Sequence, residues 1–317
     1  MQTESNRVYS LCSQRIRLRR WLETDADALY KYASDPDVGP RAGWSPHKSI
    51  DESLEVIRTF FNNGTTWAIV LKETNEAIGA MGYFTQATSN IPIGKNDCEV
   101  GYWVGKPHWN KGICTEALRL MLDYCINIRH FENIWCDHFT GNPASCRVME
   151  KCGFKDTGKL NRCSNLFGGD KDMVKIYKLD LKSQAIALAL KTFMEFEAPE
   201  YPDEGIKEFQ KTMSNPDYID KIRYYYATDH GKVIGMLATR NEGSHIALFF
   251  VDKAYHRQGI GRSLISRALK DCPADTMTVF ASPYGLPAYK ALGFEVTDVE
   301  QIDRGIRYFP MKRNTQL

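Results

Sequence analysis

Val104-Gly-Lys-Pro-His-Trp-Asn-Lys-Gly112-Ile-Cys114 and Val251-Asp-Lys-Ala-Tyr-His-Arg-Gln-Gly259-Ile-Gly261 are two versions of one segment, 147 positions apart. Valine, lysine, glycine and isoleucine match at the same places. Each copy follows an apolar run and precedes an amphipathic one, which predicts a strand, a short loop and then a helix. A helix that begins just after a strand exposes unpaired N–H groups at its positive end. The sequence therefore predicts two main-chain sites for a phosphate or pyrophosphate.

Two further landmarks repeat in the same order. Ala77-Ile-Gly79 corresponds to Val233-Ile-Gly235 upstream of the segment, and Lys151-Cys-Gly153-Phe154 corresponds to Ala291-Leu-Gly293-Phe294 downstream. Glycine turns recur in any α/β protein, but three ordered matches favour a duplicated domain.

We place the boundary of the two halves after the strand-like run at residues 173–181, which gives domains of 1–182 and 183–317. Ser183 would then cap a helix at residues 184–196. The first half opens with an alternating strand at residues 15–20, and the second half has no clear counterpart. Either that strand is absent from the second half, or the segment 175–181 serves both halves.

The composition is that of a globular protein of about two domains. The chain has 317 residues, of which 43% are hydrophobic and 25% charged, and this excludes disorder, collagen and coiled coil as descriptions of the whole chain. Forty-one basic and 39 acidic residues leave a net charge of +2. This near-balance argues against a polyanion-binding protein, because affinity for a phosphate backbone needs clustered lysine and arginine.

The sequence also predicts a location. No run of 18 apolar residues occurs, and Met1-Gln-Thr-Glu-Ser-Asn-Arg lacks the apolar core of a signal peptide. Nine irregularly spaced cysteines, some in apolar segments such as Cys125 and Cys136, predict reduced core thiols in a cytoplasmic protein. No Cys-x-x-Cys or His-x-x-x-His pair occurs, so no metal site is predicted.

Periodicity and turn signals predict a series of elements in each half. In the first half they are helices at 24–32, 49–61, 115–128 and 143–152, a hairpin at 66–84, strands at 97–104 and 134–139, and a final hairpin at 154–181 whose loop includes residues 166–170. In the second half they are helices at 184–196, 204–213, 261–270 and 286–292, a hairpin at 223–240, strands at 245–251 and 277–281, and a final hairpin at 294–313.

The repeated segments are neither a Walker A loop nor a full Gly-x-Gly-x-x-Gly fingerprint. They resemble the pyrophosphate motif of the GNAT superfamily of acyl-CoA-dependent N-acyltransferases, Gln/Arg-x-x-Gly-x-Gly/Ala. His256-Arg-Gln-Gly259-Ile-Gly261 matches it except at His256. Trp109-Asn-Lys-Gly112-Ile-Cys114-Thr-Glu-Ala is similar to the Rim-type branch, which acetylates ribosomal-protein N-termini, with Cys114 in place of alanine. Asn142-Pro-Ala-Ser145-Cys-Arg-Val-Met-Glu-Lys151-Cys-Gly153-Phe154 is close to a helix of that branch.

The resemblance implies an α/β (α+β) fold of two GNAT domains. Each would have a mixed, mostly antiparallel sheet with a central splayed parallel strand pair and flanking helices. It also implies acetyl-CoA as cosubstrate. The residues expected to bind it are Val104, Lys111, Gly112, Cys114, Thr115 and Asn142 in the first half, and Val251, Arg257, Gln258, Gly259, Gly261 and Arg262 in the second.

The resemblance also implies catalytic groups. Tyr289 matches a tyrosine that protonates the departing thiolate in the family, or it merely packs, and we favour the acid role. Met149 holds that position in the first half. Glu99 matches a family base that acts through water, or it is an edge carboxylate of the sheet. Ser145 either bonds the thiolate or is an ordinary helix residue. Asn142 either caps its helix or bonds the pantetheine, and capping is the safer interpretation.

Several functional alternatives stay open. Glu242 and His245 are the nearest candidates for a base in the second half, with a solvated turn as the competing interpretation. The chain is a two-headed N-acetyltransferase, or one half works and the other is structural, or it is a CoA-binding sensor without turnover. The acceptor is an amine, either a small molecule or a protein N-terminus. We expect no nucleic-acid or membrane partner, and a homodimer is compatible with the sequence.

Overall fold

The computed structural model describes residues 11–163 and 172–315. The chain forms two compact units, Met1–Asp180 and Leu181–Leu317. The first helix of the second unit begins at Leu181, so the prediction of a helix from residue 184 capped by Ser183 is wrong. We therefore place the boundary between Asp180 and Leu181. The predicted hairpin loop at residues 166–170 lies outside the described residues.

The first unit is built on an eight-stranded sheet in the order β1-β2-β3-β4-β5-β6-β8-β7. Its strands are β1 (Leu11–Cys12), β2 (Ile16–Arg19), β3 (Thr66–Leu71), β4 (Ala77–Phe84), β5 (Asp97–Val104), β6 (Asn133–Phe139), β7 (Phe154–Cys163) and β8 (Asp172–Leu179). Neighbours run antiparallel except β5 and β6, which are parallel. The mixed sheet with a central parallel pair is the predicted one.

The helices of the first unit are α1 (Ala26–Ala33), α2 (Gly39–Ala42), α3 (Ile50–Val56), α4 (Ile113–Asp123) and α5 (Pro143–Lys151). The Ser49 side chain accepts a hydrogen bond from the Glu52 N–H and caps α3. Two predicted helices extend to their predicted ends, but their last turns are π-helical, because α3 and α4 continue as single π-helical turns at Ile57–Phe61 and Tyr124–Ile128.

The second unit has a seven-stranded sheet, ordered β13-β15-β12-β11-β10-β9 with β14 on β15. Its strands are β9 (Arg223–Asp229), β10 (Lys232–Arg240), β11 (His245–Val251), β12 (Thr276–Ala281), β13 (Glu295–Val296), β14 (Gln301–Asp303) and β15 (Ile306–Asn314). Among the described strands of this second sheet, only β11 and β12 pair in parallel. The predicted last hairpin differs, because its first arm is broken into β13 and β14.

The helices of the second unit are α6 (Leu181–Phe196), α7 (Asp203–Met213), α8 (Pro216–Ile219), α9 (Ile260–Asp271) and α10 (Leu286–Ala291). Residues 175–179 belong to β8 in the first sheet, and β9 is the last strand at its end of the second sheet. The described residues therefore contain no opening strand in the second unit, and the segment 175–181 does not supply one.

The helix that follows the central strand buries its apolar face in both units. Ile113, Ala117, Leu118, Met121 and Leu122 of α4 are buried, as are Leu264, Ile265 and Ala268 of α9. Burial of such side chains contributes about 1.5–3 kcal/mol each. This packing fixes where α4 and α9 begin, and hence the loops before them. Among the described residues, no helix combines the length and the apolar character needed to span a membrane.

Candidate functional site

The parallel strands diverge at the same place in both sheets. In the first unit the pairing runs from Asp97 with Asn133 to Glu99 with Trp135, and Val100–Val104 continues without β6 beside it. Asp97 holds the start of the pair, because its carboxylate accepts hydrogen bonds from Asn133 Nδ2 (2.7 Å) and Trp135 Nε1 (2.9 Å). The divergence opens a cleft and leaves one edge of β5 free of strand partners.

The second sheet diverges in the same way with different side chains. Here the parallel register covers only His245 with Thr278 and Ile246 with Val279. The His245 imidazole Nδ1 lies 2.8 Å from Thr278 Oγ1, which holds the start of this pair. Each unit therefore has a cleft between parallel strands, as the resemblance implies.

A tight turn with left-handed residues follows β5. A 3₁₀ turn at Lys106–His108 leads to Asn110 (φ 58°) and Gly112 (φ 75°), and Gly112 is the N-cap of α4. Left-handed residues in such a turn direct successive N–H groups toward one concave side, and that concavity suits an anion. An L-residue at Gly112 would be strained by about 1–2 kcal/mol.

The turn after β11 repeats this conformation. A 3₁₀ turn at Lys253–Tyr255 leads to Arg257 (φ 62°) and Gly259 (φ 83°), the N-cap of α9. No atom lies within 4 Å of the place where a Cβ on Gly259 would stand, so the space above this glycine is open. The two loops predicted from the sequence repeat therefore share one backbone conformation.

The same hydrogen bond anchors both loops, although the donors differ. Trp109 Nε1 donates to the Val104 carbonyl oxygen over 2.6 Å, and His256 Nε2 donates to the Val251 carbonyl oxygen over 2.9 Å. His256 departs from the Gln/Arg of the family motif, but its ring N–H makes the loop contact that the indole makes in the first unit.

Arg15 additionally fixes the loop of the first unit. Its Nη1 donates to the Lys111 carbonyl oxygen (2.9 Å), and its Nε donates to Glu116 Oε2 (2.7 Å). Glu116 also accepts a hydrogen bond from Ser13 Oγ (2.5 Å). Burial opposes ionisation of Glu116, but the bonds from Ser13 and Arg15 outweigh it and lower its pKa. The carboxylate is thus charged and joins the loop to β2.

The residues predicted to bind acetyl-CoA lie around the two loops. Lys111, Gly112, Arg257, Gln258, Gly259 and Arg262 are exposed, Cys114, Thr115, Asn142, Val251 and Gly261 are partly buried, and Val104 is buried. Gln258 Nε2 donates to the Ala254 carbonyl oxygen and so braces its own loop. Asn142 Oδ1 accepts from the Ser145 N–H, so the capping interpretation of Asn142 is confirmed.

The small residue that ends each motif is matched to the strand behind it. A Cβ on Gly261 would stand 2.9 Å from Cζ of Phe249, which requires glycine there unless the ring moves. Cys114 stands at the corresponding sequence position in the first unit and is partly buried.

A phenol stands near the cleft in both units, on different elements. The second unit has Phe249 on β11 and Tyr289 on α10, with ring centroids 5.7 Å apart. The first unit has Tyr102 on β5 and Met149 on α5. The Tyr102 hydroxyl donates to the Ser145 carbonyl oxygen (3.1 Å), and its oxygen lies 3.0 Å from Ser145 Oγ. The structure therefore brings Ser145 to a phenol that the sequence analysis did not consider.

Both phenols are neutral at physiological pH. Burial raises the pKa of Tyr102 well above its usual value, and nearby thiols add to the effect. Burial likewise raises the pKa of Tyr289, and the negative charge of Glu197 adds to it. A buried neutral phenol retains its proton for donation.

Glu99 lies on the central strand β5, so the interpretation as an edge carboxylate is wrong. Its side chain is 2% exposed and accepts hydrogen bonds from Ser89 Oγ (2.7 Å) and the Asn90 N–H (2.9 Å). Burial raises the pKa of Glu99, and these bonds only partly offset it. Glu99 is thus a buried carboxyl group with a raised pKa where the strands begin to diverge.

Asp137 is a second carboxyl group at this place, and the sequence analysis missed it. It lies on β6, two residues beyond Trp135, the parallel partner of Glu99. Burial raises the pKa of Asp137 to about 7, and the charge of Glu99 adds to the shift. A sequence signal was available, because a carboxylate among apolar residues such as Ile134, Cys136 and Phe139 of a predicted strand is costly to bury and calls for an explanation.

Neither of the two predicted candidates for a general base in the second unit has an environment that suits this role. The lone pair of His245 Nε2 faces Arg240 Nη2 at 3.2 Å, and its Nδ1 faces Thr278. Burial lowers the pKa of His245 to about 4, and the charge of Arg240 contributes. His245 is therefore a neutral ring held between two partners, and Glu242 is an exposed residue of a turn (φ 56°).

Fold and sites together define a two-domain acyltransferase. A model of the acetyltransferase (GNAT) domain matches residues 15–155, and a second model with the same description matches residues 197–315. The chain therefore belongs to the GNAT acetyltransferase family and contains two domains of it. The predicted family and fold class are confirmed.

Individual relatives come from bacilli, and some of them are named as N-acetyltransferases. The uncharacterised N-acetyltransferase p20 of Bacillus licheniformis is 27% identical over 156 residues, which cover 48% of this chain and 85% of the relative. YkkB of Bacillus subtilis is 32% identical over 154 residues, 47% of this chain and 86% of the relative.

Two solved structures also align with the chain. A GNAT-family acetyltransferase from Bacillus anthracis has a TM-score of 0.47 at 20% identity and covers 54% of this chain and 97% of its own. Mycobacterium smegmatis RimJ in complex with CoA-disulfide has a TM-score of 0.42 at 19% identity and covers 54% of this chain and 85% of its own.

Proposed function

We propose that both domains bind acetyl-CoA and transfer its acetyl group to a primary amine by direct attack, in the cytoplasm. One observation carries the proposal: both clefts end in the same left-handed loop, anchored by a ring N–H to the last carbonyl of the central strand. A degenerate domain would have no reason to keep this conformation with a different anchoring side chain.

The donor's diphosphate would lie on the main-chain N–H groups of the loop and the first turn of the helix. The exposed side chains of Lys111, Arg257 and Arg262 supply positive charge beside it. The backbone after Val104 and Val251 would polarise the thioester carbonyl, since N–H groups aimed at a developing oxyanion are a large catalytic contribution. Thr115 in the first domain and Gln258 in the second would line the rest of the proposed donor sites.

In the first domain the proposed base is Glu99, acting through water. A primary amine with a pKa near 10 is mostly protonated at neutral pH, so it must lose a proton before it attacks. Asp137 keeps a second carboxyl group beside Glu99, and their mutual repulsion favours a shared proton between them. The pair would therefore accept a proton at neutral pH.

Ser145 is proposed to protonate the thiolate in the first domain, with Tyr102 behind it. Their hydroxyl oxygens lie 3.0 Å apart, which allows the phenol to resupply the serine. In the second domain we propose Tyr289 for the same task.

The acceptor is proposed to be a small-molecule amine or a protein N-terminus. The test uses calorimetry to count CoA molecules bound to the full chain. An assay of thiol release from acetyl-CoA follows, with spermidine, kanamycin, lysine and short peptides as acceptors. Two CoA molecules with thiol release support two working domains, and one CoA indicates one working domain. CoA binding without release by any amine would support a sensor, and absence of CoA binding would refute the proposal.

A further inference from the structure

A hairpin turn lies beside the start of each donor loop, our name for the loop from β5 to α4 and its counterpart from β11 to α9. In the first unit the Gly105 N–H donates to the Ile78 carbonyl oxygen of β4 over 2.8 Å. In the second unit the Asp252 N–H donates to the Ile234 carbonyl oxygen of β10 over 2.8 Å. Both isoleucines belong to the landmark that precedes the donor loop in the sequence repeat. The turns just before β4 and β10 therefore lie close to the donor loops.

In the first unit a buried phenol connects this turn to the donor loop. Tyr32 of α1 is 3% exposed, and its hydroxyl donates over 3.1 Å to Oε1 of Glu76, the residue directly before β4. Nε2 of His108, in the 3₁₀ turn of the donor loop, lies 3.1 Å from the same phenol oxygen. The phenol has one proton and a carboxylate only accepts, so the phenol donates to Glu76 and the His108 Nε2–H donates to the phenol. Two successive hydrogen bonds therefore join Glu76 to the loop.

The packing around Tyr32 fixes its ring between the turn and the loop. A Cβ on Gly105 would stand 2.3 Å from Cδ1 of the Tyr32 ring, so the ring occupies space that only a glycine leaves open. Lys31 of the same helix donates to Glu76 Oε1 over 2.6 Å. Burial opposes ionisation of Glu76, but the bonds from Lys31 and Tyr32 outweigh it and lower its pKa. Glu76 is thus a charged acceptor at the end of this connection.

The second unit makes the same connection with one residue fewer. Tyr255 occupies the place of His108 in the repeat, and its hydroxyl donates directly to Oδ2 of Asp229 over 2.7 Å. Asp229 is the last residue of β9, at the hairpin turn before β10. Nδ1 of His230 lies 2.7 Å from the other carboxylate oxygen. The hydrogen bond from Tyr255 lowers the pKa of Asp229, so this acceptor is charged as well.

We propose that Glu76 and Asp229 are positioning residues that hold the two donor loops in the conformation that binds the diphosphate of CoA. This rests on the proposed function, which assigns the diphosphate to these loops. Each connection holds the 3₁₀ turn just before the left-handed residues of its loop, Asn110 in the first unit and Arg257 in the second. Left-handed backbone at residues other than glycine persists only where the surrounding structure enforces it. A loop released from its hairpin turn would therefore relax, and its N–H groups would no longer converge on one anion.

A positioning role is distinct from a contribution to overall stability. The two connections share no side chain, yet each joins the third residue of the 3₁₀ turn to a charged carboxylate of the preceding hairpin. If they only stabilised the unit, their loss would weaken the binding of every ligand alike. If they position the loop, their loss weakens only ligands that carry a diphosphate. CoA and pantetheine separate the two roles, because pantetheine has the thiol arm of CoA without the diphosphate.

The test removes each phenol hydroxyl from the full-length protein. Tyr32→Phe is made in a Gly259→Val background and Tyr255→Phe in a Gly112→Val background, so that a single donor site is measured. Calorimetry gives the affinity for CoA, and ligand-observed NMR gives the affinity for pantetheine. We expect the CoA affinity to fall about 10-fold in each variant, because one hydrogen bond to a charged group is lost, and the pantetheine affinity to stay within about twofold.

Each variant has a control nearby in the same unit. Tyr30→Phe lies on α1, two residues from Tyr32. Tyr224→Phe lies on β9, the strand of Asp229, and its hydroxyl donates to the Ile219 carbonyl oxygen instead. Both controls should keep both affinities.

In either phenylalanine variant, an unchanged CoA affinity or an equal loss of both affinities would overturn the positioning role in that domain while leaving CoA binding standing. Absence of CoA binding by the natural protein would instead overturn the proposed function itself. Should a phenylalanine variant not fold, Glu76→Gln or Asp229→Asn decides, since each keeps an acceptor oxygen and loses the charge. A CoA affinity about threefold lower with pantetheine unchanged supports the assignment, and an unchanged CoA affinity contradicts it.

Discussion

The indole N–H of Trp109 donates to the carbonyl oxygen of Val104 over 2.6 Å and so closes the loop onto the strand that precedes it. Val104 is the last residue of β5, and the Trp109 indole supplies a hydrogen-bond donor for its carbonyl oxygen. In the second domain His256 does the same for Val251. Two unlike rings thus hold the same loop conformation beside the two proposed donor sites.

This equivalence predicts how Trp109 responds to substitution. Trp109→Phe removes the donor, and we expect CoA affinity at the first site to fall about 2- to 10-fold, the worth of one hydrogen bond. Trp109→His should retain most of the affinity, because an imidazole N–H makes this bond at position 256. Calorimetry with CoA measures both. Equal affinities for the two variants would show that ring packing matters and the hydrogen bond does not.

Gly259→Val tests the left-handed loop of the second domain. Valine is strongly disfavoured at φ 83°, and its side chain would fill the open space where the donor approaches. We expect loss of the second CoA molecule in calorimetry. Gly243→Val is the matched control, since Gly243 also has positive φ (97°) but lies in the turn before β11. It should lower the melting temperature comparably and leave two CoA molecules bound. Unchanged CoA affinity in Gly259→Val would contradict the proposed site.

Tyr289→Phe should slow the second domain about 10- to 100-fold, the low end of a general-acid effect, with little change in CoA affinity. The phenyl ring keeps the contacts with Phe249 and Phe294, so stability should hold. Tyr308→Phe, which removes a hydroxyl bonded to Gln301 on a distant hairpin, serves as control. Thiol release at saturating acetyl-CoA is the measurement, and an unchanged rate would remove Tyr289 from the mechanism.

The phenol lies on the central strand in the first domain, at Tyr102, and on the last helix in the second, at Tyr289. This difference predicts that a second substitution can restore activity to a Tyr102 variant. Tyr102→Phe should lower its rate about 10- to 100-fold, because Ser145 loses its neighbouring hydroxyl. Adding Met149→Tyr places a phenol on the last helix, as in the second domain, and should restore part of the rate. Rates are compared in a Gly259→Val background. If Tyr102→Phe is as fast as its parent, Tyr102 has no part in proton transfer.

The raised pKa of Asp137 predicts that the stability of the protein depends on pH. Its pKa of about 7 in the folded protein exceeds the value of about 3.9 expected when unfolded. Between these values the folded state holds a proton that the unfolded state releases, so this group lowers stability as pH rises from 4 to 7. Asp137→Asn should therefore melt higher than the natural protein at pH 8 and equally at pH 4. Glu150→Gln, at an exposed site on α5, should show no such difference. Equal melting of Asp137→Asn and the natural protein at pH 8 would contradict the burial of this charge.

The sequence predicted the fold well because its strongest signals are local. The loops around Gly112 and Gly259 need left-handed backbone and are followed by amphipathic helices, so spacing alone located β5, α4, β11 and α9 to within a few residues. The boundaries were weaker. The sequence predicted α6 from residue 184 with Ser183 as its cap, whereas the helix begins at Leu181.

The site was predicted less completely, since burial decides which carboxylates matter. Asp137 has no motif, and its altered pKa arises from packing against residues distant in sequence. The interpretation of Glu99 as a strand-edge residue failed for the same reason, because strand order is a tertiary property.

The opposite placement of the phenol has a pharmacological consequence. A compound that seeks a hydroxyl beside the donor's sulfur would find it on the strand wall in the first domain, at Tyr102, and on the helix wall in the second, at Tyr289. Under the proposed function, an inhibitor shaped for one wall would leave the other centre active, so the two centres of this polypeptide could be inhibited separately.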